Sequence, residues 1–447
     1  MTGARSAAAH VLVRVAKDGA FAAAALEAEL ARAVQLDARD RALATELVYG
    51  TLRVAPWLDA QIARFAPRGL AKVDERALSH LRLAAYQLFF TRVPPFAAVS
   101  EAVDAVRAAR GERVASFANA VLRKVAGRAA AATETDRAEA VVSSAPAWLR
   151  AALERALSPD EARAFLASGA EPPPVALRVE RAPERGPWLG RLRVAAPDAA
   201  FDPGRVSPLA ILARGAGRPQ GLPGYTDGAW SIQEEGSQTA ALAVGVRAGE
   251  TVLDACAGRG NKTAVLARRA GDRGAVDACD ATPSKLDRLA AELARLGLHA
   301  RRVFGVDWTR GSGEVTALYD RVLVDAPCTG VGTLRRRPDL ALRRKDEDLA
   351  AMARTQLAIA RGAAAHVRAG GSLTYVVCSV LREEAEEVVA GLLAELPEFA
   401  PSPFDAPEAR AIAGDATSFR LLPQVHGTDG YFVARLVRKL EQSERAD

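Results

Sequence analysis

Apolar positions through the first 128 residues recur at three- and four-residue steps, as in Leu78, Leu81, Ala85 and Leu88, or Phe117, Val121, Leu122 and Val125. That period puts an apolar stripe on each of a series of α-helices. The prolines of this stretch, Pro56, Pro67, Pro94 and Pro95, fall at apparent breaks. An all-α domain is therefore predicted over 1–128. Residues 129–144 are rich in alanine and charge and lack large apolar side chains, so they read as a linker or surface helix. Trp148, Leu149, Ala152, Leu153, Ala156 and Leu157 predict one more amphipathic helix, and Ser158-Pro159-Asp160-Glu161 is a helix-start signal. After Glu171-Pro172-Pro173-Pro174, β-prone pieces at Val175–Val179 and Leu189–Val194 alternate with turn residues up to Gly228. A small α+β connecting module is expected over 145–229.

Beyond Trp230 the pattern becomes a regular alternation. Strands are expected at Thr251–Leu253, Ala275–Cys279, Ala300–Phe304, Arg321–Val324, Ser372–Val377 and Tyr431–Val437, with helices between them, notably Ser284–Leu296 and Asp346–Val367. Short apolar strands separated by helices predict a parallel sheet covered on both faces, here over 230–440, with 441–447 a polar tail. In such folds the ligand lies at the carboxyl ends of the strands, so the residues that follow each strand carry the chemistry.

Composition narrows the class. The 447 residues are 49% hydrophobic and 26% charged, an ordinary globular balance with room for several cores. No stretch approaches the ~18 uninterrupted apolar residues of a membrane span. Arg14 and Lys17 interrupt the basic, alanine-rich start, so it is not read as a cleaved leader. The cysteines, Cys256, Cys279, Cys328 and Cys378, stand at wide spacings with no C-x-x-C pair, which argues against a disulfide framework and a zinc site and for a reducing, cytoplasmic setting. A net charge of +6 permits an anionic partner. Arg107, Arg110, Arg113, Arg123 and Lys124 read first as a solvated polar face, with an RNA-facing surface as the alternative.

The first strand of the alternating region runs into Asp254-Ala255-Cys256-Ala257-Gly258-Arg259-Gly260-Asn261-Lys262-Thr263. Gly258 and Gly260 let the backbone approach a ligand at a helix N-terminus. A P-loop needs a glycine where Asn261 stands, and a dinucleotide fingerprint needs one where Thr263 stands, so neither is met. What remains is a nucleoside site, with Asp280 ending the second strand to bind ribose hydroxyls and Asp307 after the third to accept from an adenine amino group. That arrangement suits S-adenosylmethionine. Cys279, within a strand, reads as a buried apolar residue. Cys328, in Asp325-Ala326-Pro327-Cys328-Thr329-Gly330, and Cys378, before Ser379, both leave strands on the ligand edge and are placed to face one pocket. A nucleophilic thiol needs a cation or helix N-terminus nearby, and Lys262 or the helix after Leu381 are the candidates.

These motifs, with Leu422-Pro423 and His426-Gly427-Thr428-Asp429-Gly430-Tyr431-Phe432, resemble the NOL1/NOP2/Sun RNA 5-methylcytosine methyltransferases. The amino-terminal part, with Asp40-Arg41, Leu47-Val48-Tyr49-Gly50-Thr51-Leu52-Arg53 and Phe117-Ala118-Asn119-Ala120-Val121-Leu122-Arg123, resembles the NusB fold. Together they resemble the RsmB/Sun subfamily acting on 16S ribosomal RNA. The resemblance implies an all-α NusB-like RNA-binding domain, an RRM-like connecting module and a Rossmann-like class I methyltransferase using S-adenosylmethionine. It implies Cys378 as nucleophile, Cys328 in adduct release, and Asp325 and Lys262 holding the base. Cys256, Ala257, Gly258, Arg259, Gly260, Asn261, Lys262, Asp280, Asp307 and Asp325 are the implied cofactor residues. Arg335, Arg336 and Arg337, with Arg343, Arg344 and Lys345, form an expected phosphate-binding patch beside the Pro-Cys motif. A monomer with no metal and no membrane partner is expected. The chain departs from the family pattern at Arg259-Gly260-Asn261, usually Pro-Gly-Gly, and at Val377, commonly Thr. Two rival readings are the same chemistry on transfer RNA and a catalytically silent RNA-binding assembly factor.

Overall fold

The computed structural model of the chain describes residues 3–130 and 136–440. They form two compact units: the chain through Pro172 together with Leu334–Arg344, and Pro173–Thr333 together with the chain from Lys345 onward.

The first unit is helical, as the periodicity predicts. Its helices span Ala4–Asp18, Ala22–Arg32, Ala38–Arg53, Ala55–Ala63, Glu75–Phe90, Pro95–Arg110, Glu112–Ala129, Asp136–Ser144, Ala147–Ala156 and Pro159–Ala167. Their apolar stripes meet in one core that includes Leu47, Leu58, Ile62, Leu81, Tyr86 and Leu122. Gly50 is required by that packing, because a Cβ there would lie 2.1 Å from the Tyr86 ring. The helix-start signal at Ser158 is realised as a capping box with Glu161. Residues 136–144 are helical and Ala140 and Val141 join the same core, so this part of the expected linker is integral to the helical unit, as are the helices up to Ala167 expected in the connecting module. Residues 131–135 of that linker and the 441–447 tail lie outside the described residues.

The segment Leu334–Arg344 groups with the helical unit and not with the alternating region that surrounds it in sequence. The cause lies in its own side chains. Buried Asp339 accepts a hydrogen bond from the Ala22 amide at 3.2 Å, supplying a cap to helix Ala22–Arg32, whose own N-cap residue, Phe21, offers none. Leu340 is buried, Arg53 donates to the Arg335 carbonyl at 2.9 Å, and Arg343 lies 4.0 Å from the Phe21 ring centroid and donates to the Gly19 carbonyl.

The second unit contains two sheets. Strands β1 (Val175–Val179), β2 (Ala200–Pro203), β3 (Ala210–Arg214) and β4 (Trp230–Ile232) form an antiparallel sheet in the order β2-β3-β1-β4, over a core of Trp230, Phe201, Leu177 and Leu192. The expected strand Leu189–Val194 is a correction: those residues lie in helix Arg185–Ala195. Leu189 and Leu192 stand at helical spacing and only Leu192 is buried, while Val194 faces solvent.

The larger sheet uses β5 (Thr251–Asp254), β6 (Ala275–Asp280), β7 (Arg302–Gly305), β8 (Tyr319–Asp325), β9 (Val367–Val377), β10 (Phe399–Pro401), β11 (Ser418–Leu421) and β12 (Tyr431–Arg438). Its order is β10-β12-β9-β8-β5-β6-β7, with β11 on β12. β5 to β9 are mutually parallel, as expected, and β12 runs antiparallel to β9. The chain leaves β5 toward β6 and β7, then returns to β8 on the other flank. That reversal of winding opens a crevice at the carboxyl ends of β5 and β8. Buried Asp277 on β6 is held by Arg301 (2.6 Å), Arg302 (2.8 Å) and Tyr319 (2.6 Å), tying the far end of the sheet. Among the described residues no helix is long and apolar enough to cross a membrane.

Candidate active site

The residues after β5, β6, β8 and β9 meet at that crevice. The Cys256–Lys262 loop turns from β5 into helix Asn261–Ala270 with Gly258 at φ 58° and Gly260 at φ 86°, backbone conformations that disfavour side chains. Gly260 also packs on Leu289, 3.0 Å from where a Cβ would lie, whereas a Cβ on Gly258 would meet nothing within 4 Å. The Gly258 amide donates to Asp280 Oδ2 at 3.1 Å, so the loop and the carboxylate that ends β6 frame one open cradle. Asp280 also accepts from the Thr282 amide and from Lys285 Nζ. Asp307 lies exposed after β7, where hydrogen bonds from Thr309 hold its carboxyl below the usual range. Arg259 is exposed. Asn261 uses its carbonyl to accept from buried Arg178 of β1 at 2.7 Å, so the small sheet buttresses the loop. Nothing in the weak sequence signal of residues 175–228 announced that role.

At the end of β8, Asp325 pairs with Lys262, Nζ to Oδ2 2.6 Å. Burial alone would lower the Lys262 pKa, but the Asp325 carboxylate overrides it and the net direction is upward. The ammonium also lies 5.8 Å from the centre of the buried Tyr431 ring on β12, a contact that the sequence did not single out. Cys328 and Cys378, distant in sequence, are brought together with Sγ atoms 3.3 Å apart. That contact, then burial, raises the Cys328 pKa. Burial likewise raises that of Cys256, and it pushes the interior Cys279 up to about 12, as befits a buried apolar residue. Lys262 is within electrostatic reach of Cys378. After Leu381 the chain forms a short turn, Arg382–Glu384, in which Glu384 is buried. Gly332 threads between the two loops, its amide on the Cys378 carbonyl at 3.0 Å and its own carbonyl on the Gly430 amide at 2.8 Å; a Cβ there would lie 1.9 Å from the Gly430 oxygen.

Asp254, beneath Lys262 and Asp325, is fully buried; Oδ2 accepts from Thr263 at 2.7 Å and Oδ1 has no partner. Burial pushes its carboxyl up to about 7. Between its ordinary value of 3.8 and about 7 the folded protein holds a proton that the unfolded chain has released, so this group's contribution to stability falls as pH rises through that window. Melting curves recorded from pH 4 to pH 8 should show wild type losing stability relative to Asp254→Asn as pH rises. A pH-independent difference would show that Asp254 does not titrate in this way.

The expected basic patch is divided. Arg335, Arg336, Arg343 and Arg344 are half-buried, and Arg335 and Arg343 are used in the packing of Leu334–Arg344 described above; Arg337 and Lys345 are exposed. Among the described residues no cluster of His, Cys, Asp or Glu is arranged to hold a metal ion.

Residues 241–437 match the model of the 16S rRNA methyltransferase RsmB/F family, and residues 2–127 match the NusB family. A probable ribosomal RNA small subunit methyltransferase B of Bacillus subtilis is 32% identical, over 98% of this chain and 99% of its own length. The chain belongs to the RsmB/F family of RNA methyltransferases. A putative methyltransferase of Mycobacterium tuberculosis is 37% identical over 97% of this chain and 96% of its own. The solved structure of PH0851 shares the fold along 97% of this chain and 99% of its own, with a TM-score of 0.78 at 22% identity. That of NSun6 from Pyrococcus horikoshii, solved with SFG, covers 66% of this chain and 99% of its own, with a TM-score of 0.57 at 19% identity. S-adenosylmethionine is the methyl donor of this enzyme class, and the Gly258 cradle beside Asp280 fits it: the Cβ-free space is where a nucleoside would enter, with a carboxylate at its edge.

Proposed function

We propose that this protein methylates carbon 5 of a cytosine in 16S ribosomal RNA, in the cytoplasm, through a covalent bond between Cys378 and carbon 6 of the base. The observation that carries the reading is the pair of thiols 3.3 Å apart at the ends of β8 and β9, beside the Lys262–Asp325 ion pair. Carbon 5 of cytosine is not nucleophilic on its own. Attack of the Cys378 thiolate on carbon 6 converts the ring into an enamine whose carbon 5 accepts a methyl group. Asp325 accepts hydrogen bonds from the cytosine edge, and Lys262 fixes the carboxylate for that purpose. The bound cofactor supplies an electrophilic methyl on a sulfonium, and Cys256 to Lys262, Asp280 and Asp307 hold it. Loss of the carbon 5 proton then expels Cys378, a step assigned to Cys328. RNA phosphates are met by the basic residues from Arg335 to Lys345, foremost the exposed Arg337 and Lys345. The target must be unstacked or single-stranded for either face of the ring to be reached.

Support comes from the family model's description and from relatives named for the small-subunit RNA. The test is transfer of labelled methyl to 16S RNA isolated from cells lacking this gene, with nucleoside analysis of the product. The label is expected in 5-methylcytidine of 16S RNA. Label in transfer RNA alone, in another nucleoside, or in none would overturn the proposal.

A further inference from the structure

Both neighbours of Cys328 are tied to the same buried pair of side chains. Glu384 is fully buried; Oε1 accepts from the Thr329 amide at 2.7 Å and from Gln356 Nε2 at 3.0 Å, and Oε2 accepts from the Thr329 hydroxyl at 2.5 Å. Gln356 Nε2 also donates to the Pro327 carbonyl at 3.0 Å. The Tyr375 hydroxyl donates to the Glu384 carbonyl at 2.8 Å and lies 3.2 Å from Gln356 Oε1, which locks the arrangement to β9. A buried carboxylate is costly to desolvate and persists where hydrogen bonds satisfy it. Here those bonds are spent on one turn, Pro327–Thr329, which carries a thiol 3.3 Å from the proposed nucleophile. The mechanism proposed above assigns Glu384 no part.

We propose that Glu384 is a positioning residue for product release: with Gln356 it holds the Pro327–Thr329 turn so that the Cys328 thiol faces the sulfur of Cys378 and protonates it as the C6–S bond breaks. In that step water takes the carbon 5 proton, the C5–H electron pair becomes the C5=C6 double bond, and the C6–S pair departs on Cys378. The Cys328 S–H proton passes to that sulfur, and the Cys328 thiolate regains a proton from solvent.

The inference rests on the function proposed above, and the test separates the two. Wild type, Cys328→Ala and Glu384→Gln are each incubated with S-adenosylmethionine and unmethylated 16S RNA. Single-turnover methyl transfer, steady-state turnover and the covalent protein–RNA adduct on a denaturing gel are then measured. Cys328→Ala is expected to trap the adduct. Glu384→Gln should trap it too, with steady-state turnover reduced by up to about a hundredfold while one round of methyl transfer still proceeds. Thr329→Val, which removes the hydroxyl bond to Oε2, should behave in the same direction and serves if Glu384→Gln does not fold. Adduct in Cys328→Ala with neither adduct nor slowed turnover in the Glu384 and Thr329 variants would overturn the role of Glu384 alone. A matching loss of the first turnover would show a merely structural role and overturn it as well. Absence of adduct in Cys328→Ala would overturn the release role of Cys328, and this inference with it.

Discussion

Replacing Cys378 by Ala should lower methyl transfer to 16S RNA by roughly three orders of magnitude or more, because the step that makes carbon 5 nucleophilic has no other route in the site. The thiol is half-buried at the end of β9, so its loss leaves little cavity, and cofactor binding and melting temperature should stay close to wild type. Cys328, 3.3 Å from Cys378, does not substitute: burial still raises its pKa when Cys378 is gone. Methyl transfer and calorimetry on the same preparation check both halves. A Cys378→Ala protein that retains wild-type turnover would remove the nucleophile from the mechanism.

Lys262→Met should be damaging in a different way. Lys262 is buried and its 2.6 Å bond is to a carboxylate only partly open to water, with Asp254 behind it. Removing one member of a buried pair costs about 3–5 kcal/mol; the partial exposure of Asp325 places this case toward the lower end, about 3 kcal/mol. The same change frees the carboxylate that orients the base and takes the cation away from Cys378, so a rate loss of about a hundredfold accompanies it. Denaturant titration and single-turnover kinetics measure the two effects. An equally stable variant with unchanged rate would show that the ion pair serves neither purpose.

The residues that could be read directly from the chain are those whose role is tied to position after a strand. Cys328, Cys378, Asp325 and Asp280 each follow an apolar run that forms a parallel strand, and parallel strands deliver their carboxyl ends to one edge. The helical unit was legible because its period is long and uninterrupted. What was not legible depended on partners distant in sequence. Arg343 reads as part of a basic patch until Phe21 is found against it. Glu384 stands among other acidic residues at what looks like an exposed helix start, and only the fold turns it inward to Thr329. Leu189–Val194 failed for a local reason: short segments with few large apolar residues carry too little periodicity to separate strand from helix.

The central claim is a methylated cytosine bound through carbon 6 to Cys378. It is tested most directly by mass spectrometry of the complex trapped by Cys328→Ala on unmethylated 16S RNA, after digestion with nuclease and protease. The expected result is a peptide containing Cys378 that carries a cytidine nucleotide plus one methyl group. A nucleotide attached to any other residue, a base other than cytosine, or a Cys378 peptide found only in its free form would contradict it.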